Sequence, residues 1–158
     1  MRAVGNDSGI TAKQPLRVWM QTIGPTILLV EDEPTIRELL SRFLERAHYT
    51  VLQARDGSEG LAMARERHPD VIICDNLMPK MTGVEMFHAL QESAETRRIP
   101  VLFSTGFPKP CEELVEQNAN TRLLQKPFLL SDLVRAVQSF TRATGTSGTL
   151  PVFGAHAG

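Results

Sequence analysis

Short apolar runs alternate along the central part of the chain with longer segments in which apolar residues recur every three or four positions. Runs rich in branched apolar residues are typical of strands buried on both faces of a parallel sheet, whereas the wider spacing is typical of helices that bury one side. The pattern predicts strands at 26–31, 50–54, 71–75, 100–104 and 122–125.

A predicted helix follows each predicted strand. The first begins around Pro34, which suits a first helical turn. Its apolar positions form one helical stripe, which consists of Ile36, Leu39, Leu40, Phe43, Leu44 and Ala47. The next three helices are predicted at 58–67, 83–91 and 111–117. Thr82 is expected to cap the third helix and Ser131 the fifth. This alternation predicts an α/β domain with a single parallel sheet, helices on both faces and right-handed crossovers.

The chain of 158 residues suits one domain with short tails. We expect a flexible extension over residues 1–24, the domain over 25–144, and a disordered Gly- and Thr-containing tail over 145–158. Met20 lies shortly before the first strand, so translation starting there is an alternative.

Composition excludes several function classes. The net charge of −1, with scattered Lys and Arg, gives no electrostatic argument for a nucleic-acid or membrane partner. No run approaches the roughly 20 apolar residues of a membrane span, and the polar N-terminus does not resemble a signal peptide. Cys74 and Cys111 lack metal-site spacing, and Cys74 is expected to be a buried, reduced thiol. A cytoplasmic location is therefore expected.

Polar residues with reactive side chains follow the predicted strands at their carboxyl ends. Asp75 closes an apolar run, Glu31 and Asp32 end the first strand, Thr105 follows the fourth, and Lys126 follows the fifth. Parallel strands present their carboxyl ends at one edge of the sheet, and open α/β sheets bind ligands there. We therefore expect these five side chains to converge.

The expected cluster has the chemistry of a phosphoryl-transfer site. Packed carboxylates are unfavourable unless a cation neutralises them, and oxygen ligands without His or Cys favour Mg²⁺. Asp75 would attack phosphorus in line and become an acyl phosphate. Mg²⁺ held by Glu31 and Asp32, together with Lys126 and Thr105, would stabilise the equatorial oxygens.

Four motifs in this order resemble those of a response-regulator receiver domain, the phosphoacceptor module of two-component signalling. They are Val-Glu-Asp-Glu-Pro, Asp-Asn-Leu-Met-Pro-Lys-Met-Thr-Gly, Ser-Thr-Gly and Lys-Pro-Phe, and the resemblance covers residues 26–142. The segment Leu-Leu-Gln-Lys-Pro-Phe is most similar to receivers attached to hybrid histidine kinases. The expected fold is flavodoxin-like and doubly wound, with strand order 2-1-3-4-5.

The resemblance also implies roles for individual residues. It makes Asp75 the phosphoacceptor, Thr105 the switch hydroxyl and Lys126 the phosphoryl-binding cation. Glu31, Asp32 and Asp75 would be metal carboxylates, joined by the backbone carbonyl of Leu77. The Lys126-Pro127 bond is expected to be cis.

The chain departs from many receivers at Leu123, three positions before Lys126, where an aromatic residue usually reports the state of the switch. Leucine has no ring to exchange between packed and exposed positions, so that readout is in doubt. Leu77 and Phe107 lie two residues beyond Asp75 and Thr105 and would flank the path of hydrolytic water. We hypothesise a long-lived acyl phosphate, because excluding water slows hydrolysis.

The sequence therefore predicts a stand-alone phosphorylation switch rather than an enzyme, with only self-catalysed phosphoryl transfer and dephosphorylation. The donor would be the phosphohistidine of a sensor histidine kinase or a histidine phosphotransfer protein, docking near helix one. A downstream target protein would bind the face formed by helix four, strand five and helix five. No output domain is expected after helix five. The protein would be a monomer or a phosphorylation-dependent homodimer.

Three alternatives remain open. The chain could be a receiver-like interaction module that has lost phosphorylation. It could be an aspartyl-nucleophile phosphatase of the haloacid-dehalogenase type, although those need a second Asp two residues after the nucleophile, where this chain has Leu77. Finally, the acidic residues after the first strand could serve only to cap helix one and complement its dipole.

Overall fold

A computed structural model describes residues 24–141 as five strands and five helices in strict alternation. The strands are β1 (Thr26–Val30), β2 (Thr50–Ala54), β3 (Val71–Cys74), β4 (Val101–Thr105) and β5 (Thr121–Gln125). The helices are α1 (Pro34–Arg46), α2 (Gly57–Arg67), α3 (Gly83–Gln91), α4 (Lys109–Gln117) and α5 (Leu130–Thr141). The predicted tails lie outside the described residues, apart from Gly24. No helix in the described part of the chain is long and apolar enough to span a membrane.

All neighbouring strands are parallel, in the order β2-β1-β3-β4-β5. This is the doubly wound, flavodoxin-like fold that was expected, and the prediction of fold class is confirmed. The order reverses between β1 and β3, so the edge beyond their carboxyl ends is the usual ligand site of such a sheet.

Consecutive residues of the central strands enter two different core clusters, which explains why β1 and β3 are apolar almost throughout. Leu28, Ile72 and Phe103 pack with α2, α3 and α4 on one face of the sheet. Leu29 and Ile73 belong to the cluster that packs with α1 and α5 on the other face. Side chains alternate between faces along a strand, so position in a strand decides which helices a side chain meets.

The starts of α4 and α5 differ most from the prediction, whereas α2, β4 and β5 begin one residue away from the predicted position. Helix α4 begins at Lys109, before the predicted start, because Pro110 falls in the first turn, where a missing N–H costs nothing. Helix α5 begins at Leu130, and the Leu129 carbonyl accepts from the N–H groups of Asp132 and Leu133. Ser131 therefore lies inside the first turn, and its prediction as a cap was wrong.

The other capping prediction is confirmed. The Thr82 hydroxyl accepts from the N–H of Glu85, whose carboxylate accepts from the Thr82 N–H in return. These reciprocal bonds satisfy two N–H groups of the helix start and form a capping box. At α1 the cap is Glu33, which accepts from the N–H of Thr35.

The predicted apolar stripe of α1 is wider than the face that the helix buries. Leu40 and Leu44 are buried, whereas Leu39 is 57% exposed and Ile36 is 36% exposed. Only the narrower part of the stripe is buried, and Ile36 and Leu39 lie on its exposed part. On α5 the predicted core is confirmed, since Leu133, Val137 and Phe140 are buried.

Close packing of Gly83 against the backbone beside Asp75 yields a stability prediction. A Cβ on Gly83 would lie 2.5 Å from the Asp75 carbonyl oxygen and 3.1 Å from Cys74 Sγ. We expect Gly83→Ala to lower the free energy of unfolding by about 1–3 kcal/mol, as overpacking does. Gly106→Ala is the matched control, since no atom beyond its two chain neighbours lies within 4 Å of its Cβ position. Urea unfolding of both variants measures the difference, and equal stability would contradict the expected clash.

Candidate functional site

Backbone hydrogen bonds extend the sheet ladder past the strand ends and align the polar residues there. Glu31 N–H donates to the Ala54 carbonyl, Asp75 N–H to the Val30 carbonyl, and Lys126 N–H to the Thr105 carbonyl. Register pairs Val30 with Cys74, so the next residues, Glu31 and Asp75, are neighbours. The sheet geometry therefore brings the backbones of Glu31 and Asp75 side by side.

Three carboxylates meet at this edge. Glu31, Asp32 and Asp75 each offer an oxygen, and these oxygens lie within 4.8 Å of one another. Glu31 is buried, Asp75 is partly buried and Asp32 is exposed. An all-oxygen donor set that is open on one side fits a hard cation such as Mg²⁺, which retains waters and accepts phosphate oxygens. The residues present therefore fit the metal that the sequence implied.

Lys126 joins two of these carboxylates. Its Nζ donates to Glu31 Oε2 at 2.8 Å and to Asp75 Oδ2 at 2.9 Å. Burial raises the pKa of Glu31, and the neighbouring charge of Asp75 adds to this increase, while Lys126 opposes it. Burial alone would lower the pKa of Lys126, but its hydrogen bonds and charge interactions with both carboxylates outweigh that effect and raise it. The ammonium group therefore stays charged. The Lys126-Pro127 bond is cis, as the resemblance implied.

Thr105 ends β4 as a fully buried residue, and its hydroxyl accepts from the N–H of Phe107 at 3.2 Å. The structure thus places Thr105 at the carboxyl edge of the sheet, and its hydroxyl bonds within its own loop instead of to a carboxylate. Phe107 is 50% exposed, and Leu77, whose N–H donates to Asp75 Oδ1, is 58% exposed.

The loop after Asp75 is held by contacts that the sequence did not indicate. Asp75 Oδ1 accepts from the Leu77 N–H at 3.1 Å, and buried Asn76 accepts from the Val84 N–H at 3.1 Å. Lys80, whose φ is 68°, donates to Asp56 Oδ2 at 2.8 Å. That hydrogen bond from Lys80 lowers the pKa of Asp56.

Arg37 is another residue that sequence reasoning missed. Its Nη1 donates to the Glu31 carbonyl at 2.6 Å and lies 3.4 Å from the Asp32 carbonyl. The guanidinium therefore fixes the backbone from which both acids project. A basic residue early in α1 is the only signal for it in the sequence, and such residues are common on helix surfaces.

Comparison with known proteins agrees with this geometry. The family model described as the response regulator receiver domain matches residues 27–138. The polar-differentiation response regulator DivK of Brucella ovis is 31% identical over 116 residues, which make up 73% of this chain and 94% of DivK.

Solved structures show the same likeness. The chemotaxis protein CheY4 of Vibrio cholerae is 34% identical with a TM-score of 0.67, and the match covers 74% of this chain and 98% of CheY4. The receiver domain of the sensor histidine kinase PA1611 from Pseudomonas aeruginosa was solved with a magnesium ion coordinated in its active site cleft. It is 26% identical with a TM-score of 0.67, covering 74% of this chain and 97% of its own. On its fold, its family match and these relatives, this chain belongs to the response regulator receiver domain family.

Proposed function

We propose that this receiver accepts a phosphoryl group on Asp75 from the phosphohistidine of a sensor histidine kinase or a histidine phosphotransfer protein. Receiver domains are signalling switches rather than classical enzymes, and they interact with such kinases or phosphotransfer proteins and with downstream targets. The observation that carries the proposal is Lys126 Nζ, held 2.9 Å from Asp75 Oδ2 and 2.8 Å from Glu31 Oε2 beside the exposed Asp32.

In the proposed reaction, a carboxylate oxygen of Asp75 attacks phosphorus as the bond between phosphorus and the imidazole nitrogen breaks. The bonding electron pair leaves with the imidazole. Lys126 is close enough to Asp75 to pair with the phosphoryl oxygens. Glu31, Asp32, Asp75 and the Leu77 carbonyl would hold Mg²⁺, which when bound neutralises charge on the transferring group.

The phosphoryl group would then compete with existing contacts inside the site. Lys126 would exchange an Asp75 oxygen for a phosphoryl oxygen, and the Thr105 hydroxyl would leave the Phe107 N–H to do the same. We propose that this movement biases the face formed by α4, β5 and α5, where a downstream target or a second copy of the chain would bind. Leu123 would respond by a change of packing, since it is half-buried against the core. Two buried free thiols suit action in the cytoplasm.

Intact mass after incubation with Mg²⁺ and acetyl phosphate tests the proposal. We expect the wild type to gain one phosphoryl group and Asp75→Ala to gain none. An increment in both proteins would place the phosphate elsewhere. No increment in either would favour a receiver-like interaction module, and turnover of small phosphoesters that requires Asp75 would favour a phosphatase.

The lifetime of the acyl phosphate provides a second test. Leu77 and Phe107 have exposed side chains, and their N–H groups donate to Asp75 and Thr105, so both would flank the path of water that attacks the acyl phosphate. Changing both to serine should accelerate dephosphorylation at least about tenfold, which corresponds to a barrier about 1.4 kcal/mol lower. Loss of the phosphoryl group can be followed by mass after donor removal, with the exposed Leu129→Ser as control. An unchanged lifetime in the double variant would refute the role of these side chains.

A further inference from the structure

Ser104 has a buried hydroxyl that makes no hydrogen bond. The residue is 2% exposed, and within residues 24–141 its Oγ is the buried side-chain atom left without a partner. Buried polar groups in native proteins are almost always paired, because an unpaired one loses its hydration without compensation. The exception at Ser104 lies beside the phosphoacceptor site and calls for a functional reason.

Strand register places Ser104 next to Asp75. Cys74 pairs with Phe103, so the following residues, Asp75 and Ser104, occupy the same row of the sheet. Neighbouring strands lie about 4.8 Å apart. On the other side of β4, Ser104 pairs with Leu124, two residues before Lys126.

Ser104 also faces the side of the sheet on which the ion pairs form. Side chains two residues apart in a strand share a face. Asp75 therefore lies on the same face as Ile73, and Ser104 lies on the same face as Leu102. Ile73 and Leu102 belong to the same core cluster. Lys126 shares this face through Leu124, which packs against that cluster, and it bonds Asp75 there.

The neighbouring hydroxyl is different. Thr105 lies on the opposite face, which it shares with Phe103 of the other core cluster. Its hydroxyl already accepts a hydrogen bond from the Phe107 N–H. Strand β4 therefore carries two adjacent hydroxyls at the site. Among the described residues, the Thr105 hydroxyl has a partner and the Ser104 hydroxyl has none.

We propose that Ser104 is a positioning residue whose hydroxyl becomes paired when Asp75 is phosphorylated, an inference that rests on the proposed function. In the unmodified site both oxygens of Asp75 have donors, Leu77 N–H for Oδ1 and Lys126 Nζ for Oδ2. When Oδ1 forms the bond to phosphorus, Lys126 leaves Oδ2 for the phosphoryl oxygens. Oδ2 is then the acyl carbonyl oxygen and has lost its donor, and the adjacent Ser104 O–H supplies a new one.

This exchange favours the phosphorylated state. The unmodified protein carries the cost of an unpaired buried hydroxyl, and phosphorylation removes that cost. Deleting the hydroxyl should therefore leave the unmodified protein equally stable or more stable, while it weakens the response to phosphorylation. A purely structural serine would behave in the opposite way, because its loss would destabilise the unmodified protein.

The test uses Mg²⁺ with fluoroberyllate, a non-hydrolysable mimic of an aspartyl phosphate, and follows thermal unfolding of the full chain. Ser104→Thr and Ser104→Val form a matched pair, since the two side chains have the same shape and only threonine keeps the hydroxyl. Ser104→Ala is added as the variant with the smallest volume change.

We expect Ser104→Val and Ser104→Ala to bind fluoroberyllate about three- to tenfold more weakly than the wild type, with Ser104→Thr near the wild type. Without fluoroberyllate, Ser104→Ala should unfold at or above the wild-type temperature. Equal fluoroberyllate binding by Ser104→Thr and Ser104→Val would overturn the role of Ser104 but leave the proposed function intact. A lower unfolding temperature of Ser104→Ala than of the wild type, both without fluoroberyllate, would do the same. A wild type that neither binds fluoroberyllate nor gains a phosphoryl group overturns the proposed function and this inference together.

Discussion

Replacing Lys126 with methionine is expected to slow phosphorylation of Asp75 by about 100- to 1000-fold, the usual effect of removing a donor that stabilises transition-state charge. Lys126 Nζ is 2.9 Å from Asp75 Oδ2, so it is the cation best placed to meet charge that develops on the phosphoryl oxygens. Methionine keeps a similar length and apolar stem while it removes the charge. The rate with acetyl phosphate and saturating Mg²⁺ is the quantity to measure.

The same substitution should raise the affinity of the site for Mg²⁺. Lys126 competes with a metal ion, because its ammonium group occupies oxygens of Glu31 and Asp75. Without it the three carboxylates repel one another more strongly and bind a divalent cation more tightly. Lys109→Met, at an exposed position of α4, is the matched control and should change neither the phosphorylation rate nor the Mg²⁺ affinity. Unchanged phosphorylation in Lys126→Met would show that Lys126 plays no part in the transfer, and weaker Mg²⁺ binding would contradict its competition with the metal.

Asp32→Asn is expected to remove most of the stabilisation that Mg²⁺ provides and to suppress phosphorylation in proportion. A ligand at 100 times its dissociation constant adds about 2.7 kcal/mol to the free energy of unfolding. Asp32 is an exposed member of the carboxylate cluster, so its substitution should cost little stability in metal-free buffer. Thermal unfolding with and without Mg²⁺ measures both effects. Glu38→Gln, an exposed acid on α1 that pairs with Arg42, is the control.

Proton competition gives this prediction a pH dependence. Burial raises the pKa of Glu31, so a proton displaces Mg²⁺ from it at a higher pH than from an ordinary carboxylate. Stabilisation by Mg²⁺ should be complete above that raised pKa and decline as the pH falls through it. In metal-free buffer the pH dependence of stability has the opposite sign. The folded state favours protonated Glu31, so the stability that this residue contributes is lost as the pH rises through the same pKa. Mg²⁺ stabilisation that persists in Asp32→Asn at neutral pH would place the metal elsewhere.

The fold could be predicted almost completely because each strand is a distinct apolar run and each helix follows with its own period. The carboxyl-end positions of Glu31, Asp75 and Lys126 follow from the parallel topology alone. The structure brings these three side chains into direct contact and places Asp32 beside them.

Other features depend on how the helices settle on the sheet, which sequence period does not specify. Leu39 repeats in phase with the core of α1 but lies beyond the area of the sheet that the helix covers. The Lys80–Asp56 ion pair joins residues 24 positions apart through loop geometry. Sequence also suggested one switch hydroxyl in Ser104-Thr105. Only the strand register and the hydrogen bond from the Phe107 N–H distinguish the paired hydroxyl of Thr105 from the unpaired hydroxyl of Ser104.

The measurement that tests the central claim most directly is chemical location of the phosphoryl group. Borohydride reduces an aspartyl phosphate to homoserine, so treatment of the phosphorylated protein followed by peptide mass spectrometry marks the modified position. If the phosphoryl group is on Asp75, homoserine should be found at position 75 and nowhere else. It should form only when Mg²⁺ was present during phosphorylation. Homoserine at another acidic residue, or a phosphoryl group that borohydride does not convert, would contradict it.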